Sequence, residues 1–151
     1  MLRGSLDAAA GKSPEPIYQE ILKSHPRFDP ARVRLAAMYL EDPAKLEEAL
    51  SLANEARARM PDEPELTRIL ALASYRKADF KYAAQLLAEL GIRRPLAPDE
   101  LLVLGLSQSN SDQAGKARES LEAALKAGLS EAGAAEAKAA LVKLDAAEEA
   151  E

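Results

Sequence analysis

Three groups of residues in this 151-residue chain have types and spacings that invite a chemical reading. Ala10-Gly11-Lys12-Ser13 contains the Gly-Lys-Ser of a phosphate-cradling loop, in which backbone N–H groups and the lysine hold nucleotide phosphates. That chemistry needs another glycine five residues ahead of the Gly-Lys pair and a strand leading into it. Leu6 stands at that place and Gly4 is out of register, so the tetrad reads as a turn between two helices. His25 is the only histidine, which excludes a two-histidine metal site. Ser24 is its one nearby hydroxyl, and no carboxylate is arranged to orient the ring as a triad requires. At a helix end before Pro26 the imidazole instead suits the negative end of the helix dipole. The paired acids Glu47-Glu48, Glu63/Glu65 and Asp99-Glu100 could exchange protons across a pocket, but they fall in helix first turns or on exposed faces. The chain has no cysteine, hence no thiolate nucleophile or ligand. These readings predict a protein without catalytic residues, cofactor or metal.

The elements that carry these residues are set by a fixed period. Pro30, Pro64 and Pro98 lie 34 residues apart, as do Ala49, Ala83 and Ala117. A stride of this size marks stacked units, each a supersecondary element that cannot bury its apolar face alone. Each proline sits in a helix first turn, where its missing N–H is not needed. First helices are expected over Pro30–Leu40, Pro64–Arg76 and Pro98–Ser109, and second helices over about Ala44–Met60, Phe80–Ile92 and Gln113–Ala127. Asp42-Pro43, Asp79 and Ser111-Asp112 supply the turns between them. Pro61 and Pro95 end two units, and Gly128 ends the third as a left-handed cap. Helices packed about 8–10 Å apart need small side chains where they cross; Ala37/Ala49/Ala56, Ala71/Ala83 and Gly105/Ala117/Ala124 provide them.

Composition agrees with an all-α chain. Apolar residues make up 48% and aromatics only 4%, with alanine dominant and few β-branched residues. A net charge of −5 and a pI near 5.1 argue against a nucleic-acid groove. No apolar run approaches the roughly 18 residues that span a membrane, so no membrane insertion is expected. The first residues lack a signal-peptide core. An export signal would then lie upstream, leaving cytoplasmic and periplasmic locations open.

In this register the sequence resembles the tetratricopeptide repeat (TPR) family. Leu104-Gly105 is the clearest copy of that family's first-helix pair, paralleled by Leu70-Ala71 and Ala36-Ala37. Ala49 with Ala53, Ala83 with Leu87, and Ala117 with Leu121 fill the second-helix positions. Val33, Thr67 and Leu101 stand where a tryptophan is usual. The resemblance covers residues 13–129 and implies a right-handed α-solenoid of about three and a half helix-turn-helix repeats with a C-terminal capping helix. The expected organisation is a single repeat domain over 1–147: a partial repeat at 1–29, repeats at 30–63, 64–97 and 98–130, a capping helix at 131–147, and an acidic tail at 148–151. The first helix of the partial repeat is squeezed into residues 1–10, as though the chain were cut from a longer array.

The resemblance also implies a role, protein–protein interaction as a non-catalytic scaffold, and a binding face. First helices line the concave side in this family, which maps a groove onto Arg34, Met38, Arg68, Leu72, Tyr75, Arg76, Leu102 and Leu106. Such a row would suit an amphipathic partner segment bearing carboxylates; equally, apolar residues at helical spacing pack between neighbouring units. The two-carboxylate clamp used by one branch of the family maps to Arg34, Met38, Ile69, Asp99 and Val103. Only Arg34 has the required charge there, so no chaperone-tail binding is expected. A structural-assembly role is the alternative: Ile17, Ile21 and Leu22 would be left partly uncovered at the truncated end, inviting a homodimer or further repeats of a longer parent protein. Ala-rich, cysteine-free arrays of this kind resemble those of bacterial export and cell-surface assembly proteins.

Overall fold

The computed structural model describes residues 13–151. The helix expected within residues 1–10, together with Gly11 and Lys12, lies outside the described residues. Among these residues the elements are α1 Glu15–Ser24, α2 Asp29–Leu40, a 3-10 turn Pro43–Lys45, α3 Leu46–Arg59, α4 Pro64–Arg76, α5 Phe80–Arg93, α6 Pro98–Ser109, α7 Ala114–Ala127 and α8 Glu131–Glu149. No strand is present among them.

Most helix ends are where the sequence signals placed them, but α8 runs to Glu149, two residues into the expected acidic tail. Pro64 and Pro98 open α4 and α6, and Pro30 is the second residue of α2. Asp79 Oδ1 accepts from Tyr82 N at 3.3 Å and Ser130 Oγ accepts from Gly133 N at 3.1 Å, satisfying first-turn donors of α5 and α8. Gly128 ends α7 with φ +100°, the left-handed cap its position predicted.

The interhelix turns carry the period into the backbone itself. Ser74 O accepts from both Lys77 N (3.1 Å) and Asp79 N (2.9 Å); 34 residues on, Gln108 O accepts from Ser111 N (3.2 Å) and Gln113 N (3.0 Å). These loops fold back through a residue with positive φ, Ala78 (63°) and Asp112 (59°), again 34 apart. The corresponding turn after α2 has Pro43 where Lys77 and Ser111 donate, and proline has no N–H to give. The chain takes a 3-10 turn instead, with Asp42 Oδ1 accepting from Ala44 N at 3.0 Å. The helix start nonetheless keeps the period: Leu46, Phe80 and Ala114 open α3, α5 and α7, so the expected start near Ala44 is two residues early.

Two compact units divide the chain between Ala73 and Ser74. In the first, α1 packs on α2 and α2 on α3. Tyr18, Ala31, Leu35, Tyr39 and Ala49 form its core, with Ile21, Leu22, Met38 and Leu52 against them. Asp29 anchors this unit's charged seam: Arg32 Nη1 donates at 2.6 Å, Arg59 donates from Nε (2.7 Å) and Nη2 (2.6 Å), and Arg32 Nη2 donates to Pro26 O at 2.6 Å. In the second unit α6 packs on α5 and α7, and α8 packs on α6 and α7. Leu102, Leu106, Ala117, Leu121, Ala124, Ala137, Ala140 and Leu144 form a shared core there.

Register positions keep their burial from one unit to the next. Ala49, Ala83 and Ala117 have no exposed surface, nor do Ala53, Leu87 and Leu121. Small residues at these seams let the helices approach, as the crossing geometry requires.

Candidate functional site

The residues expected to form a binding row lie on α2, α4 and α6, and their environments differ. On α2, Arg34 is exposed with no ion pair among the described residues, while Met38 is half-buried against the α1–α2 core. On α4, Arg68 is half-buried with Glu65 at 3.7 Å, Leu72 is buried and Arg76 is exposed. Tyr75 is half-buried on the second unit's core and meets Phe80 edge-on, ring centroids 5.7 Å apart. Burial, then the Glu136 carboxylate, pushes the Tyr75 phenol above its ordinary value. On α6, Leu102 and Leu106 are buried in the cluster shared with α7 and α8. The arginines therefore reach solvent, and the leucines of the row are mostly taken up in packing.

Other sequence candidates are placed as follows. His25 is exposed just after α1. Glu47, Glu48 and Asp99 are exposed. Glu100 corrects the expectation of a solvated first-turn acid, being only 2% exposed. Arg94 donates to both its oxygens, at 2.9 and 2.8 Å, and Ala97 N donates at 2.9 Å. A bidentate guanidinium and a helix N-terminus together offset the desolvation of that buried carboxylate. Among the described residues no three His, Cys, Asp or Glu side chains gather as metal ligands, and no helix is long and apolar enough to cross a membrane.

One polar cluster joins α1, α2 and the 3-10 turn. Tyr39 Oη donates to Glu15 Oε1 (3.0 Å) and accepts from Gln19 Nε2 (3.0 Å). Lys45 Nζ donates to the same Glu15 oxygen at 2.9 Å and sits 4.6 Å from the Tyr39 ring centroid. Lys45, then Tyr39, holds the Glu15 carboxyl below its usual value, while burial above all pushes the Tyr39 phenol up. The acid and the phenol are thus driven apart in proton affinity, and the cluster ties α1 to α2 and to the 3-10 turn. Sequence reasoning also missed the buried pair Ser120–Gln108, whose hydroxyl donates to the amide oxygen at 2.6 Å. The available signal was a polar Gln108 in register with the buried Leu40 and Ser74.

No family model and no curated protein matches this chain. Solved structures titled MamA MSR-1 and MamA AMB-1 each superpose on it with a TM-score of 0.71 at 19% identity, covering 83% of this chain and 73% and 69% of theirs. At that identity the likeness shows the fold, an all-α, TPR-like helical-repeat solenoid.

Proposed function

We propose, with that TPR-like fold as the premise, that this chain is a non-catalytic protein-interaction module that takes a peptide or helix of a partner on its first-helix face. The repeats would be those of the 34-residue register, 30–63, 64–97 and 98–130, with 131–147 as the capping helix. The observation that carries this reading is an exposed, unpaired guanidinium on a first helix, that of Arg34. Arg68 and Arg76 would meet further partner acids. Met38 and Tyr75 offer partial apolar surface, and Leu72, Leu102 and Leu106 add only their exposed edges. Truncating a desolvated anchor at such a surface typically weakens binding by about 1–4 kcal/mol. Titration calorimetry of a recovered partner against Arg34→Glu, Arg76→Glu and Met38→Ala tests the assignment. Affinity should fall at least tenfold in the arginine variants, and unchanged affinity in all three removes this face from the reading.

Half-burial of Ile17, Ile21 and Leu22 on α1 supports the alternative, self-association through that end. Sedimentation velocity separates the two readings. A concentration-dependent dimer abolished by Ile17→Glu favours assembly, and a monomer at all concentrations favours the partner face.

A further inference from the structure

The second unit has a cavity of about 560 Å³ in the furrow between α5 and α7, floored by the end of α6. This lies within the roughly 300–1,000 Å³ of ordinary ligand sites. Ala84 and Ala88 line its α5 side, where only methyl groups stand between a ligand and the helix backbone.

Register explains why the furrow is open. Ala84 corresponds to Arg118, 34 residues later. Arg118 spans the next furrow to α8, donating to Asp145 Oδ1 at 2.6 Å with Glu148 Oε2 at 3.2 Å. The α5–α7 furrow has no such arm.

Three of its polar groups are donors with no partner among the described residues: the Gln108 amide, Lys81 and Lys116. Gln108 is only 6% exposed and lines the cavity. Its amide oxygen is occupied by Ser120 Oγ, while its NH₂ has no partner among the described residues. That nitrogen is not among the fully buried unpartnered atoms, so it keeps contact with solvent at the cavity, within a ligand's reach. Lys81 and Lys116 stand at the two walls, exposed and without ion pairs among the described residues; Glu119 is the single acid of the lining. Two ammonium groups against one carboxylate leave the rim net positive on a chain whose overall charge is −5.

We propose that this furrow is a second binding site, separate from the first-helix face, and that it takes an acidic peptide segment of a partner protein. Carboxylates of the segment pair with Lys81 and Lys116, and a main-chain carbonyl accepts from the Gln108 amide at the floor, beside the Ala84–Ala88 wall. The neighbouring furrow already holds two acids, Asp145 and Glu148, on a basic side chain. Charge complementarity of the same kind selects the occupant here.

The test is an NMR titration of the ¹⁵N-labelled chain with a hexaglutamate peptide, with hexaglutamine and glutarate as controls. Saturable shifts are expected at the Gln108 side-chain amide and at the backbone amides of Lys81, Ala84 and Lys116. The surface variant Lys81→Gln/Lys116→Gln should bind at least tenfold more weakly, and Lys23→Gln/Lys138→Gln, on α1 and α8, should bind as the parent does. Shifts spread over remote lysines such as Lys23 and Lys138, equal affinity in the lysine variant, equal binding of glutarate, or no binding would each overturn the site. Shifts at Lys81, Ala84 and Lys116 report the furrow on α5 and α7, whereas shifts at Arg34 and Arg76 report the first-helix face, so either reading can fail alone.

Discussion

Gly105 of α6 lies directly against Leu121 of α7: a Cβ built on the glycine would fall 2.7 Å from Leu121 Cγ and 3.1 Å from its backbone nitrogen. Leu121 has no exposed surface into which to retreat. Gly105→Ala gains about 0.5–1 kcal/mol of helix propensity but incurs roughly 1–3 kcal/mol of overpacking. The variant should be destabilised, by about 1–2 kcal/mol in urea denaturation. A more stable variant would show that the α6–α7 seam is looser than described.

Ala78 holds a left-handed conformation, φ 63°, that L-residues adopt at about 1–2 kcal/mol. Ala78→Gly removes that strain and loses about 0.5–1 kcal/mol through the freer unfolded chain. The net change expected is stabilisation by about 0.5–1 kcal/mol. The register mate Ala44 sits in the 3-10 turn without positive φ, and Ala44→Gly should destabilise. Equal effects at both positions would contradict the turn assignment.

Asp29 sets an acid limit on the first unit. Its carboxyl is held below the usual value by Arg59 chiefly, against burial, with Arg32 assisting. A folded-state value below the unfolded one means the contribution is complete above the ordinary aspartate value, 3.8, and is lost as pH falls through the lowered folded value. Urea midpoints of the parent should exceed those of Asp29→Asn at pH 7, with the gap closing by about pH 2. A gap of the same size at both pH values would refute the ion-pair role.

The fold was legible because its signals are local. Prolines at helix starts, Gly128 and Ser130 at ends, and alanines at crossings each act within a turn or one seam. The 3-10 turn at Pro43 was not anticipated, because the missing N–H matters only once the hydrogen bonds of the Lys77 and Ser111 turns are known. Glu100 looked like a surface acid, since nothing in a first-turn glutamate reveals an arginine folding back from Arg94. The proposed row was legible as a period but not as a surface. Leu106 shares the stride of Met38 and Leu102 that of Arg34, yet α8 packs over the core that contains them. Spacing identifies a helix face; only tertiary packing says what covers it.

The central claim, a first-helix face that binds protein, is tested most directly by site-specific photocrosslinking in living cells. A benzophenone amino acid placed at Arg34 or Arg76 should yield an adduct with the same partner protein. The same group at Asn54 or Glu122, exposed on the second helices α3 and α7, should not. Adducts absent from the first-helix positions, or identical from all four, would contradict the account.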